Sequence, residues 1–425
     1  MTGKPTLSSA PVPRSTMTSL AEPDAPIAVG TAVHPVSRLR FAVAVTALAT
    51  GGFAIGTTEF VTMGLLPQIA DGVGVTIPQA GHLISAYALG VVVGAPLLAA
   101  LGAKLPRRGL LVGLIAAFGL LNLLSAAMSH YGLLAFVRFL DGLPHGAYFG
   151  VAALTAAGMV APERRGRALA LVMMGIPVAN VLGVPAATLL GQQLGWRAAF
   201  VAVGVISAVT VVLILAFVPS MPGDRTASTR RELTALRHPQ LWYAVGASGI
   251  GFGGLFALVS YIAPITTDVG GLPESTVAVF LLVIGLGMVV GNIVAGRMVD
   301  WSVQRSLQIG SVGLAAALLG YWVLAPHGWW ALVAGFAVTV VGSVLALGFQ
   351  VRLIDAAEHA QTLGAALSHA SLNIGNSLGA FLGGTVIAAG WGLRAPLLVG
   401  VGLALAGLVV LALARRAERS ARQGE

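Results

Sequence analysis

Long apolar runs separated by short polar segments make up the chain from about residue 38 onward. A helix needs about 20 apolar residues to cross a bilayer, and counting runs of that length predicts twelve membrane spans. We number them span 1 to span 12 in chain order, at residues 41–66, 79–101, 109–128, 132–160, 166–190, 197–219, 240–264, 275–299, 306–326, 328–350, 361–388 and 393–414. The pattern therefore predicts an all-α membrane protein.

Composition supports this prediction and excludes several classes of function. The chain is 57% hydrophobic and 9% charged, with a mean hydropathy of +0.90, which excludes a soluble globular protein. It contains no cysteine, so disulfide frameworks and thiolate metal sites are excluded. Its net charge of +9 arises from short basic clusters between apolar runs rather than from a patch of domain size, which argues against a nucleic-acid partner. We expect no cofactor and no metal, and a monomer in a lipid bilayer.

Basic residues lie on alternate connections between the spans, which predicts the orientation. Clusters follow spans 2, 4 and 6, whereas the opposite side carries only Arg197 and Arg394. Cytoplasmic connections are enriched in Lys and Arg, so both termini are predicted to be cytoplasmic, and a bacterial inner membrane is the expected location. The side on which span 1 ends is called the predicted outer side below.

One long polar interruption, from Ser220 to Gln240, divides the spans into two sets of six. The predicted organisation is a disordered cytoplasmic tail, an N-terminal six-helix bundle, a cytoplasmic linker, a C-terminal six-helix bundle and a cytoplasmic tail, at residues 1–37, 38–219, 220–239, 240–415 and 416–425. We call the two bundles the first and the second bundle.

The two bundles are related in sequence. At an offset of 197, Gly90, Gly94 and Arg108 fall on Gly287, Gly291 and Arg305, and at an offset of 196, Asn180 and Gly183 fall on Asn376 and Gly379. Because both bundles start on the same side, the repeat is parallel, as in transporters whose halves are related by an axis along the membrane normal.

Four sequence stretches carry a resemblance to a known family: TTEFVTMGLLPQIA, RFLDGLPHGAYFG, ANVLGVP and GWRAAF, which begin at Thr57, Arg138, Ala179 and Gly195. The chain resembles the major facilitator superfamily, and within it the twelve-span drug:proton antiporters and the related arabinose-type sugar efflux permeases. The resemblance implies two six-helix bundles that rock about a central cavity.

The resemblance also implies two kinds of motif. Gating loops follow spans 2 and 8, where the second copy retains an acid and the first has Ala103 in its place; their candidate residues are Arg107, Arg108, Asp300 and Arg305. The antiporter motif of span 5 is represented by Gly175, Gly183 and Pro185, with Val184 separating a glycine and a proline that usually adjoin.

Three charged residues lie deep in the apolar runs of the first bundle: Glu59, Arg138 and Asp141. Glu59 and Arg138 both lie about 10 Å below the predicted outer surface, and Asp141 lies about one turn deeper than Arg138. An ionisable group at such depth costs about 3 kcal/mol or more and usually marks a cavity or proton path. We therefore hypothesise one proton-coupling cluster; the alternative is a permanent ion pair that only fixes helix packing.

Uncharged polar and aromatic residues are candidates for the wall of a substrate cavity. His369, Asn373 and Asn376 share one stripe of span 11, and His145 lies on span 4. Tyr261 and Phe256 on span 7 suit an apolar or aromatic ligand. For the histidines and the aromatics alike, ordinary helix packing is the alternative.

These residues together predict a proton-coupled antiporter that exports small, largely apolar compounds such as drugs. Export of sugars or small metabolites is the first alternative. A membrane-embedded hydrolase or transferase is disfavoured because an HExxH motif and clusters of acids and histidines are absent. A carrier or sensor without proton coupling is the third alternative, which a pH-independent flux would reveal.

Overall fold

The computed structural model describes residues 2–3, 37–102, 104–161, 164–223, 239–357 and 361–423. The predicted tail 1–37 and linker 220–239 therefore lie almost wholly outside the described residues, as does Ala103. Within the described part, helices occupy the positions of all twelve predicted spans.

In the first bundle the helices follow the predicted spans closely, with one internal irregularity. The continuous helices are Arg38–Gly64, Ile77–Gly102, Arg107–Ala127, Tyr131–Gly158 and Trp196–Phe217, for spans 1, 2, 3, 4 and 6. A short helix, Leu66–Val73, follows span 1. Span 5 comprises Arg165–Met173, Gly175–Val178, a π-helical turn Ala179–Gly183 and Val184–Leu194.

The second bundle repeats this series. Span 7 is Pro239–Val259, followed by the short helix Ile262–Pro264 and a π-helical turn Ile265–Val269. Spans 8 and 9 lie in the helical segment Thr276–Leu324, which is interrupted where Ser302 has extended backbone, with φ −172° and ψ 112°. Spans 10, 11 and 12 are Ala331–Ala356, Gln361–Ala388 and Ala395–Gln423.

Two predicted boundaries differ from the structure for local reasons. Span 10 begins at Ala331 rather than at residue 328, because a 3-10 turn over Ala325–Trp330 contains Gly328 with a positive φ of 58°. Span 12 continues to Gln423 rather than ending at residue 414, because the polar sequence that follows, with its Arg, Ala, Glu and Gln, still favours helix.

By length and composition, eight described helical stretches could cross a membrane, and one of them, Thr276–Ala356, contains spans 8, 9 and 10. Spans 4 and 11 fall outside this set. Span 4 carries Arg138 and Asp141, and span 11 carries the stripe of His369, Asn373 and Asn376. The two spans outside this set thus carry candidate site residues of both bundles.

The sequence repeat corresponds to a repeated helix crossing. A Cβ atom on Gly90 of span 2 would lie 2.0 Å from the carbonyl oxygen of Phe139 on span 4. A Cβ on Gly287 of span 8 would lie 2.9 Å from the carbonyl oxygen of Phe336 on span 10. Gly287 lies 197 positions after Gly90, and Phe336 lies 197 positions after Phe139. Glycine lets the backbones approach closely at both crossings, so the fold has two pseudo-symmetric bundles.

The bundles contact each other along the predicted outer half of the spans. A hydrophobic cluster there joins Phe60, Met63 and Ile84 to Phe256 and Leu281. The rings of Phe60 and Phe256 stack with centroids 6.2 Å apart. At the outer end, Gln68 donates a hydrogen bond of 3.0 Å to the Glu274 carboxylate. The interface between the bundles is therefore closed on this side.

Candidate functional site

An ion pair lies inside the first bundle. Arg138 and Asp141 are three residues apart on span 4, and the distance from Arg138 Nη1 to Asp141 Oδ2 is 2.6 Å. The side chains are 1% and 0% exposed. It is the only acid–base pair at salt-bridge distance within the part of the chain that the structure describes.

Polar residues of spans 1 and 3 form further hydrogen bonds with this pair, although Arg138 Nε has no partner among the described residues. Asn122 Nδ2 donates to Asp141 Oδ1 at 2.9 Å, and the Thr58 hydroxyl donates to Asn122 Oδ1. Arg138 Nη2 lies 3.4 Å from the hydroxyl oxygen of Thr62. Each acid oxygen thus has a donor, as a buried charge requires.

Two aromatic rings enclose the Arg138 guanidinium. Its central carbon lies 4.4 Å from the ring centroid of Tyr87 on span 2 and 5.3 Å from that of Phe200 on span 6. Arg138 is therefore packed by spans 1, 2 and 6, within the first bundle rather than between the bundles.

Glu59 has its hydrogen-bond partner on the second bundle. Its side chain is 8% exposed, and its Oε1 accepts a hydrogen bond of 3.2 Å from Asn376 Nδ2 on span 11. It forms no ion pair with a described residue. The carboxyl group of span 1 thus joins the first bundle to the second.

The two histidines lie on either side of one aromatic ring. His145 Nδ1 and the Tyr87 hydroxyl are hydrogen-bonded at 2.9 Å. The His145 ring lies 5.5 Å from Phe149, and Phe149 is nearly parallel to His369 of span 11, with 6.0 Å between centroids and 3° between planes. These contacts extend from the Arg138 site to the second bundle.

The other cavity candidates divide into interface and packing residues. Asn373 and Asn376 are buried on span 11, 6% and 0% exposed. Phe256 contacts Phe60 across the bundle interface. Tyr261 is fully buried, and its hydroxyl donates to the carbonyl oxygen of Ala380 at 2.6 Å. The hydroxyl also lies against Gly81 of span 2, so Tyr261 packs helices at the bundle interface.

The span-5 motif lies where span 5 crosses span 1. A Cβ on Gly175 would lie 2.4 Å from the carbonyl oxygen of Ala49, and one on Gly183 would lie 2.3 Å from the hydroxyl oxygen of Thr57. Pro185, the second residue of Val184–Leu194, cannot donate a backbone hydrogen bond. The π-helical turn immediately before it is a feature often found at functional sites.

The gating-loop candidates of the two bundles have different surroundings. Arg107 Nη1 donates to the Leu154 carbonyl oxygen at 2.9 Å, within the first bundle, and Arg108 is half-buried nearby. Asp300 is exposed, and the Arg305 guanidinium lies 4.9 Å from the Trp301 ring.

Sequence reasoning missed Asn122, Thr58 and Tyr87. The signal for Asn122 was present, because it is an isolated amide within the apolar run of span 3. Thr58 and Tyr87 gave no such signal, since a threonine and a tyrosine are common in membrane helices. In the described part of the chain, no group of three or more His, Asp or Glu side chains could hold a metal ion.

The fold and this buried charged site define a multi-pass membrane transporter built from two duplicated bundles. A profile of the Major Facilitator Superfamily matches residues 48–367. The chain is 38% identical over 371 residues to the inner membrane transport protein YdhP of Escherichia coli K12, covering 87% of this chain and 95% of the relative. It is 36% identical over 359 residues to a chloramphenicol resistance protein of Streptomyces lividans, covering 82% and 90%.

Among solved structures, a bacterial homologue of the human lysosomal transporter Spinster, in an inward-facing conformation, matches with a TM-score of 0.70 at 17% identity. The match covers 90% of this chain and 98% of that one, and it supports the fold alone. The chain belongs to the Major Facilitator Superfamily. It is therefore a transporter of a small molecule and not an enzyme.

Proposed function

We propose that this transporter is a proton-coupled antiporter that exports small, largely apolar organic compounds. The observation that carries the proposal is the hydrogen bond between Glu59 of span 1 and Asn376 of span 11, which joins the bundles at a buried carboxyl group. An acid that costs about 3 kcal/mol or more at this depth is rarely retained without a function.

Coupling requires that a proton bind differently to two conformations. Glu59 meets this requirement because its partner lies on the other bundle, so that the hydrogen bond is lost when the bundles separate here. An ionised carboxylate accepts a stronger hydrogen bond than a neutral carboxyl group does. Protonation of Glu59 therefore weakens the preference for the closed interface.

The Arg138–Asp141 pair has a supporting role in this scheme. Its direct partners lie within the first bundle, so we expect it to persist when the bundles move. It holds the Arg138 guanidinium beside Thr62, which lies one turn from Glu59 on span 1. Tyr87, His145 and His369 are the other titratable side chains near this path.

The aromatic side chains at the bundle interface favour a substrate that is largely apolar. Phe149 and His369 present parallel faces, and Phe60 and Phe256 line the closed outer half. Aromatic side chains are the usual lining of sites for apolar ligands. The similarity to a chloramphenicol resistance protein favours drug export.

A panel of drugs, scored for export in an efflux-deficient host with and without a collapsed proton gradient, tests the proposal. We expect at least one drug to be exported only when the gradient is present, and Glu59→Gln to abolish that export. Asp71→Asn, which alters an exposed acid beyond span 1, is the matched control. Export that is indifferent to the gradient contradicts proton coupling.

A second candidate is export of sugars or small metabolites, favoured by the asparagine stripe of span 11. Under that function, a hydrophilic sugar and no apolar drug would be exported by the same strain. For either substrate, we propose a monomer in a bacterial inner membrane with both termini cytoplasmic.

A further inference from the structure

Two buried amide oxygens on span 11 have no hydrogen-bond donor among the residues that the structure describes. Asn373 Nδ2 donates to the carbonyl oxygen of His369 at 3.0 Å, and Asn376 Nδ2 donates to Glu59 Oε1 at 3.2 Å. The Oδ1 atoms of both residues are buried and unpartnered. Exchanging O and N in Asn373 would bring two acceptors together, and the same holds for Asn376 while Glu59 is ionised, so the hydrogen bonds fix the orientation of both amides in that state.

Both oxygens belong to the face of span 11 that meets the first bundle. His369, Asn373 and Asn376 follow the helical spacing of three and four residues that places side chains on one face. The two ends of this stripe contact Phe149 and Glu59 of the first bundle. Asn373 lies between them and therefore faces the same interface.

The first bundle offers these oxygens no donor in this structure. Glu59 is already an acceptor for Asn376, Phe149 has no polar atom, and the Tyr87 hydroxyl and His145 Nδ1 are bonded to each other. An unpartnered buried acceptor destabilises the protein, because it has lost its hydrogen bonds to water without gaining others. The protein thus carries a cost that a bound molecule with O–H or N–H groups would remove.

We propose that Asn373 and Asn376 select substrates that carry hydrogen-bond donors, namely hydroxyl, amine or amide N–H groups on an apolar or aromatic body. The inference rests on the proposed function, because it assigns a substrate class to the same interface. The donors bind the two Oδ1 atoms, and the body packs against the Phe149 and His369 rings. A compound with the same body but no donor leaves both oxygens unpartnered.

Binding of matched probe pairs to the purified full-length transporter tests this proposal without any proton gradient. The pairs are 1-phenyl-1,3-propanediol with its di-O-methyl ether, and chloramphenicol with the ether that is methylated at both hydroxyls and at the amide nitrogen, so that neither ether keeps an O–H or N–H group. We expect each diol to bind about tenfold more tightly than its ether, because one or two hydrogen bonds of about 1 kcal/mol each are lost. Ethers that bind as well as the diols, or no binding by any of the four compounds, would overturn the proposal.

Variants at one position locate the effect. Asn373→Leu removes an acceptor and should reduce the preference for the diols, whereas Asn373→Asp retains an oxygen there and should keep it. Ser371→Ala is the control, because its hydroxyl contacts Ser248 within the second bundle. A diol preference unchanged in Asn373→Leu would also overturn the assignment. Failure of gradient-driven export would leave these binding results standing, so the two proposals fail separately.

Discussion

The two bundles share one scaffold but differ in their buried chemistry. At the offset of 197, the first-bundle residues Tyr87, Arg138, Asp141 and His145 correspond to Ile284, Gly335, Val338 and Gly342. The buried acids and the buried arginine of the described residues all lie in the first bundle. The second bundle forms the same helix crossings without them, so the charges are not what makes this scaffold fold.

The bundles also reach across their interface in related but unequal ways. Asn376 of span 11 donates to Glu59 of the first bundle, and its counterpart Asn180 of span 5 donates to the sulfur of Met288 in the second, at 3.2 Å each. A carboxyl group changes charge with pH, and a thioether does not. Of these two contacts between the bundles, only the one at Glu59 therefore contains an ionisable group.

The largest expected effect comes from joining the bundles chemically at the predicted outer end. The chain contains no cysteine, so Gln68→Cys with Glu274→Cys introduces the only two thiols, at positions whose native side chains are hydrogen-bonded. A short thiosulfonate cross-linker should abolish transport, and reduction should restore it, because the bundles must separate here. Each single cysteine variant is the control, and transport that persists in fully cross-linked protein would contradict movement of the bundles as units.

The second-largest effect is expected when the buried ion pair of the first bundle is replaced by uncharged residues, as at the corresponding positions of the second bundle. Arg138→Leu leaves Asp141 buried without its partner and should lower the free energy of unfolding by about 3–5 kcal/mol. The double variant Arg138→Leu with Asp141→Val should recover most of this loss, since the corresponding positions of the second bundle carry no charge. We expect proton coupling to be absent from both variants. Denaturant unfolding of the purified proteins measures the two stabilities, and a double variant no more stable than the single one would contradict the comparison.

A smaller effect tests the duplicated crossing. Gly90→Ala places a methyl group 2.0 Å from a backbone oxygen, whereas Gly287→Ala meets first the Thr339 hydroxyl, which can rotate away. Overpacking costs about 1–3 kcal/mol, and we expect Gly90→Ala near the upper limit and Gly287→Ala near the lower. Gly150→Ala on span 4, which has open space, is the control. Equal losses at both glycines, measured by thermal unfolding, would count against this packing difference.

The smallest effect concerns the two arginines on the predicted outer side. Arg197 donates one hydrogen bond to the Met128 carbonyl oxygen, and Arg394 donates two to that of Trp322. Each guanidinium also lies against a tryptophan ring, at 4.3 and 4.0 Å. Lysine substitutions should each cost about 1 kcal/mol or less in unfolding free energy, and the loss should be greater for Arg394→Lys. The reverse order would contradict this account.

Sequence predicted the fold better than the site. Hydrophobic run length predicts the twelve spans, because crossing a bilayer fixes both length and composition. The glycines repeated at the offset of 197 predict the duplication, because close helix approach leaves few alternatives to glycine. The π-helical turn in span 5 could not be predicted, since it depends on packing against span 1.

The partners of the charged residues were harder to predict from the sequence. Spacing on one helix predicted that Arg138 and Asp141 share a face, and they do form a pair. Spacing could not show that Glu59 bonds to Asn376, because these residues are distant in sequence and meet only through the packing of two bundles. The packing role of Tyr261 likewise depends on a carbonyl oxygen of span 11.

The most direct measurement of the central claim compares uphill transport with exchange in Glu59→Gln. In proteoliposomes, wild-type protein should perform both substrate accumulation driven by a pH gradient and substrate exchange without a gradient. We predict that Glu59→Gln keeps the exchange, because glutamine can still form a hydrogen bond with Asn376. We predict that it loses the gradient-driven accumulation, because the glutamine side chain does not bind or release a proton. Gradient-driven accumulation at the wild-type level in Glu59→Gln would contradict the claim that this carboxyl group couples protons to transport.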